Sequence, residues 1–131
     1  FIFFADLIRS IQSPVTVDFI ISSSYLKMSS TGEVKVHCDI RENIEGKHVL
    51  LVDDIIDTGI SLNYLRERFL TMNPASLKIC ILLDKKERRV VDVPVDYIGF
   101  EIPDHFVVGY GLDYDDKYRN LPYIAILKKE A

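Results

Sequence analysis

Apolar and polar positions alternate along this chain in two rhythms. At the start, Phe1, Phe4, Leu7, Ile8 and Ile11 recur at helical spacing and predict an amphipathic opening helix. It is too short, and too charged at Asp6 and Arg9, for a signal peptide. Its hydrophobicity begins with no cap residue ahead of it, so a further upstream segment is expected. After a Ser-Pro break, Val15, Val17, Phe19 and Ile21 occupy every second position, the period of a strand over residues 15–21. The stretch SSSYLKMSSTGE that follows has the polar, Gly-containing composition of a mobile loop. Alternation resumes at Val34, Val36 and Cys38, a second strand. After a turn at 43–47, residues His48 to Val52 form a continuously apolar run, expected to be a strand buried on both faces of a parallel sheet.

The rhythm then changes. Leu62, Leu65, Phe69 and Met72 mark a helix over 61–72, with Arg66, Glu67 and Arg68 turned outward and Asn73-Pro74 as its stop. Residues 77–83 are another buried strand, and strand, helix and strand in succession are the order of a parallel sheet. In the last third, DYIGFEI, FVVGYGL and YIAIL read as short strands separated by Pro103-Asp104 and by the polar DYDDKYRN. The expected fold class is α/β: a Rossmann-like core, a mostly parallel sheet flanked by helices, with a strand-rich appendage. No linker divides it, so residues 1–131 read as a single domain.

Composition narrows the function classes. At 131 residues, 48% hydrophobic and 27% charged, the chain is long enough for one real core. No apolar run approaches the roughly 18 residues of a membrane span, so no membrane partner is expected. A net charge of −4 argues against a broad nucleic-acid surface. Cys38 and Cys80, the only cysteines, have neither a disulfide pattern nor metal-ligand spacing, and they fit a reducing cytoplasm.

The candidate chemistry lies in VLLVDDIIDTGIS, residues 49–61. Ligands of open parallel sheets sit beyond the carboxyl ends of the strands, where Asp53 and Asp54 are expected. Thr58, Gly59, Ile60 and Ser61 then lead into a helix N-terminus, whose free amides and dipole favour a phosphate. Carboxylates beside a phosphate repel it unless they hold hydroxyls or a metal, so the stretch asks for a sugar phosphate with a divalent cation. Three rival readings exist. Asp57 could simply cap the helix while Asp53 and Asp54 stay solvated. Asp-Thr-Gly is also the aspartic protease triplet, although two further acids just before it are unexpected there. VLLVDD resembles the opening of a response-regulator receiver, but the chain remaining after it is too short for that fold.

Taken whole, apolar strand, two acids, two apolar residues and Asp-Thr-Gly-x-Ser resemble the phosphoribosyl-diphosphate signature of type I phosphoribosyltransferases. FFADL, Ser24-Tyr25, VLLVDDIIDTG, LLDK and IGFEIPDHFVVGYGLDYDDKYRNLPYI, in this order, resemble the hypoxanthine-guanine phosphoribosyltransferases, and RNLPYI points to their bacterial branch. The resemblance implies transfer of 5-phosphoribosyl from phosphoribosyl diphosphate to hypoxanthine or guanine, giving IMP or GMP and pyrophosphate with Mg²⁺. It implies that Asp53 and Asp54 hold the ribose hydroxyls, partly through Mg²⁺, and that Asp57, Thr58, Gly59, Ile60 and Ser61 cradle the 5′-phosphate. Asp57, facing purine N7, becomes the general acid/base. Lys85 would donate to the oxygen at purine C6, Phe106 would stack on the base, and the Val107 backbone would meet its edge. Asp113 would ligate a second Mg²⁺ beside the base and pyrophosphate, Arg119 would contact pyrophosphate, and Ser24 and Tyr25 would begin a closing loop.

Two side chains depart from the family pattern: Ile60, where a polar or basic residue is common, and Asp53, where Glu is commoner. The family also carries a segment ahead of FFADL with a core strand and a pyrophosphate-binding loop, so an N-terminally truncated member is expected. A second reading follows, a nucleotide-binding fragment or regulator of the same fold without turnover. The resemblance further implies a homodimer or homotetramer.

Overall fold

The computed structural model describes residues 1–25 and 33–128 of the chain. A helix α1 (Ile2–Ser10) precedes an antiparallel pair, β1 (Ile21–Tyr25) and β2 (Glu33–Cys38). Then come β3 (His48–Ile56), α2 (Ile60–Leu70) and β4 (Ser76–Asp84), followed by a short 3-10 turn at Lys86–Arg88 and β5 (Tyr97–Glu101). β3, β4 and β5 form one parallel sheet with β4 in the middle. Two-residue strands β6 (Val107–Val108) and β7 (Ala125–Ile126) pair antiparallel.

β4 is the backbone of the fold because both of its faces are covered. Ile79, Ile81 and Leu83 are almost wholly buried. On one side Ile79 and Ile81 meet Leu51 and Ile56 of β3, Leu62, Leu65 and Phe69 of α2, and Val93. On the other, Leu82, Leu83 and Leu112 gather Phe3 of α1, Ile102, Val107 and Ile124. The helical spacing of Leu62, Leu65 and Phe69 thus selects the packing face of α2, and the outward side carries Glu67.

Three expectations change. The strand foreseen over 15–21 is displaced: pairing begins at Ile21 and runs through Ser22–Tyr25. The preceding residues are held another way, by the Asp18 carboxylate, which accepts the amides of Phe19, Arg41 and Glu42. Ser24 and Tyr25 therefore end a strand, opposite Val34 and Glu33, whereas the rest of the expected mobile loop, 26–32, lies outside the described residues. Finally, β3 is not buried on both faces. It is an outer strand of the described sheet, and His48 and Leu50 are exposed while Leu51 packs inward. It also runs four residues further than its apolar run, carrying Asp53 and Asp54 within the strand and not beyond it.

Candidate functional site

The parallel register of β3 and β4 determines what stands together at the sheet's carboxyl end. Ile56 is paired with Asp84, and the Lys85 amide donates to the Ile56 carbonyl at 3.1 Å. Asp57 and Lys85 consequently leave the sheet side by side. On the far side of β4, Asp84 is paired with Glu101, and the Ile102 amide donates to the Asp84 carbonyl, so the segment leading to Phe106 departs from the same end. Three connections that are far apart in sequence converge on one edge, as open parallel sheets arrange their ligand sites.

The turn from β3 into α2 depends on Gly59. It is the N-cap of α2 at φ +86, a left-handed conformation costly for any residue with a Cβ. A methyl there would lie 2.5 Å from the Val91 carbonyl oxygen and 3.0 Å from Arg89 Cδ. No side chain caps the helix, which removes the reading of Asp57 as a simple N-cap. The Thr58 hydroxyl reaches only to 3.4 Å from the Ile60 amide. The first-turn amides of α2 have no intrahelical acceptor and, together with the helix dipole, favour an anion.

Asp57 is half open, yet its Oδ1 is shut away from solvent and has no hydrogen-bond partner among the described residues. Arg88 Nε lies 3.2 Å from that oxygen, close enough for charge attraction, but the approach is off the angle of a hydrogen bond. A buried carboxylate oxygen without a donor is costly, and a ligand N–H or O–H is the kind of group that satisfies it. Lys85 is likewise nearly buried, at 5% exposure, and among the described residues no carboxylate forms an ion pair with it. A solvated surface lysine is thereby excluded for this position.

Asp53 and Asp54 form a second element of the site. Burial and the neighbouring Asp54 charge push the Asp53 carboxyl up to about 7, although the Asp54 amide, donating to Asp53 Oδ1 at 2.9 Å, pulls the other way. Two crowded carboxylates of this kind are relieved by a proton or by a cation. Both line a cavity of about 360 Å³ bounded by α1, residues 16–20 and β3, with Phe4, Phe19 and Leu50 in its wall. The 57–61 turn and Lys85 do not line that cavity; they face the end of the sheet.

The remaining candidates lie on the last third of the chain. Phe106 is 47% exposed, a large aromatic face held edge-on by Tyr114 at 5.6 Å between centroids. Val107 is half-buried in β6. Asp113 and Arg119 are paired with each other at 3.2 Å, and Arg119 also donates to the Gly111 carbonyl at 2.8 Å. Asp113 is not grouped with Asp53 and Asp54: among the described residues no trio of His, Cys, Asp or Glu stands ready to hold a metal by protein ligands alone. That arrangement is compatible with Mg²⁺, which in phosphate sites is typically bound through one or two carboxylates plus substrate oxygens. Ser24 and Tyr25 end β1, opposite Val34 and Glu33.

Sequence reasoning passed over Arg88, Arg89 and Asp104, and weighed Asp84 only as the strand-end acid of the receiver reading. Arg89 pairs with the buried Asp84 and donates through Nε to the Asp57 carbonyl at 3.3 Å, while Arg88 lies between Asp57 and Asp104. The available signal was the run KKERR directly after an apolar strand, but only folding reveals that its two arginines turn back onto Asp57. No described helix is long and apolar enough to cross a membrane.

Comparison with known proteins agrees with this geometry. Residues 1–115 match the phosphoribosyl transferase domain family. A hypoxanthine phosphoribosyltransferase of Salmonella typhimurium is 55% identical over 126 residues, which cover 95% of this chain and 71% of that protein. A hypoxanthine-guanine phosphoribosyltransferase of Streptococcus thermophilus is 50% identical over 129 residues, 98% of this chain and 72% of that one. A crystal structure of a hypoxanthine-guanine phosphoribosyltransferase from Bacillus anthracis, with HEPES in its active site, superposes at a TM-score of 0.92. It is 53% identical and covers 97% of this chain and 75% of its own.

Proposed function

This chain belongs to the phosphoribosyl transferase domain family, and on that premise we propose a purine-salvage enzyme that moves 5-phosphoribosyl from phosphoribosyl diphosphate to hypoxanthine or guanine. The products are IMP or GMP and pyrophosphate. The observation that carries the reading is the pairing of Ile56 with Asp84, because it sets Asp57 and the buried Lys85 beside each other at the mouth of an anion-seeking turn.

Displacing pyrophosphate from ribose C1 builds positive charge on the sugar, so holding the reactants in line and stabilising charge matter most. In this reading Asp57, Thr58, Gly59, Ile60 and Ser61 grip the 5′-phosphate through backbone amides, and the nonpolar side chain of Ile60 is no obstacle to that. Asp53 and Asp54 hold the ribose hydroxyls. Mg²⁺, when bound through Asp53, Asp54 and, at a second position, Asp113, supplies positive charge against the pyrophosphate. Phe106 offers its open face for stacking, and Val107 offers its backbone to the base edge. Lys85 donates to the 6-oxo group, and because an ammonium has no acceptor it disfavours the 6-amino group of adenine. Asp57 removes the N7 proton as N9 attacks, its carboxylate held beside Arg88. Arg119, released from Asp113, meets pyrophosphate. We further infer that residues 1–131 act as one domain, in the cytoplasm, as a dimer or tetramer.

The test is base-dependent pyrophosphate release from phosphoribosyl diphosphate and Mg²⁺. Asp57→Asn is expected to lower turnover by about 10² or more while GMP binding is retained. Absence of base-dependent release rules out the enzyme, and GMP binding without any turnover then identifies a binding module of the same fold.

A further inference from the structure

Resting on the phosphoribosyl reading of the turn, we propose that Arg89, anchored on Asp84, is a positioning residue. It clamps the backbone of Asp57 so that the 57–61 turn faces the 5′-phosphate.

Asp84 ends β4 and is buried to 1% exposure, a place where an unpaired carboxylate is expensive. The Arg89 guanidinium pairs with it and is itself mostly enclosed, at 17% exposure of the side chain. The same guanidinium is a planar fork with several donors: a terminal nitrogen serves Asp84 while Nε serves the Asp57 carbonyl. One side chain thus joins the strand end that carries Lys85 to the turn that carries Asp57. Its neighbours complete the brace. The amides of Val90 and Val91 both donate to the Thr58 carbonyl, at 2.9 and 3.0 Å, and the Arg89 stem lies against Gly59, where a methyl would stand 3.0 Å from Cδ.

The direction of these bonds matters. Each takes a carbonyl of the turn and pulls it backwards, toward residues 89–91. With the Asp57 and Thr58 carbonyls occupied behind the turn, the amides that follow are presented on its other side, where an anion binds. Carbonyls left free would compete for the same space and repel the phosphate. The clamp also explains why a buried ion pair sits here at all. Such pairs are often no more stabilising than apolar residues of like volume, so its role here is assigned to geometry over stability.

That property supplies the experiment. In the full chain, the double replacement Asp84→Val with Arg89→Met removes both charges and is expected to fold, with a thermal midpoint near the wild-type value. Arg89→Lys keeps the charge opposite Asp84 but loses the fork that also reaches Asp57. In both, KM for phosphoribosyl diphosphate and Kd for GMP are expected to rise about tenfold or more, as small misplacements of a positioned group do. Binding of guanosine, which lacks the phosphate, is expected to stay within about twofold. Equal loss for GMP and guanosine means a general loosening and overturns the clamp, as does unchanged GMP binding by a folded variant. If the wild-type chain binds no GMP, the phosphoribosyl reading falls and the clamp falls with it. If the double variant does not fold, Arg89→Lys alone decides.

Discussion

Gly59 and Arg89 illustrate how much of this site rests on single residues. The turn needs a positive φ at 59 and a close approach of the 89–93 segment, and only glycine permits both. Gly59→Ala is expected to cost about 1–3 kcal/mol from backbone strain alone, with more if the Val91 carbonyl is displaced. Chemical denaturation gives the stability change, and GMP titration is expected to show weaker binding in the fraction that remains folded. Both effects should exceed those of Ile60→Val, since Ile60 offers the site an amide and not a functional side chain. The glycine was legible as a turn former from its place between Thr58 and an apolar helix. That its Cα lies against an arginine stem was not, because the residues between them fold away through α2 and β4.

At the scale of elements, β4 and α1 stand at opposite extremes. Ile81 is fully buried in the central strand, in contact with the cluster formed by α2 and β3. Ile81→Ala is expected to cost about 2–5 kcal/mol through lost burial and an unfilled cavity. α1 is amphipathic but has no buried residue, so Leu7→Ala should cost under about 1 kcal/mol. Denaturant midpoints of the two variants measure the contrast. The elements also show where periodicity misleads. A period of two does not by itself make a strand, and residues 15–20 pair with none: Asp18 instead ties the segment to the amides of Arg41 and Glu42. The apolar run 48–52 looked buried on both faces, but β3 has only β4 beside it in the described sheet, and residues 48–54 border the cavity.

For the whole molecule, the carboxylates set opposing pH dependences. Asp53 holds its proton up to about 7 in the folded chain, against about 3.9 for an unfolded aspartate. Between those values the folded state binds the extra proton, so this group's contribution is fully present below about pH 4 and is lost as pH rises through 7. Asp39 and Asp18 act in the other direction. Arg68 beside Asp39, and the backbone amides of Glu42 and Phe19 at Asp18, hold these carboxyls below their usual range. Their stabilisation is present above the unfolded value and is lost as pH falls through the lowered one. The thermal midpoint is therefore expected to decline from about pH 5 to pH 8, and Asp53→Asn should flatten that decline. A slope unchanged in the variant would show that Asp53 is not its source.

Local chemistry was written in the chain before folding. The βαβ order, the packing face of α2, the burial of residues 79–83 and the turn after the acids all follow from spacing, because each depends on neighbours within a few residues. So did the resemblance to phosphoribosyltransferases, since the signature is contiguous. What the tertiary structure alone decided is which distant groups meet. The register of β3 on β4 brought Lys85 to Asp57 and turned Arg88 and Arg89 back onto the turn. Sheet register is a collective outcome of packing on two faces, and no window of sequence short enough to read contains it.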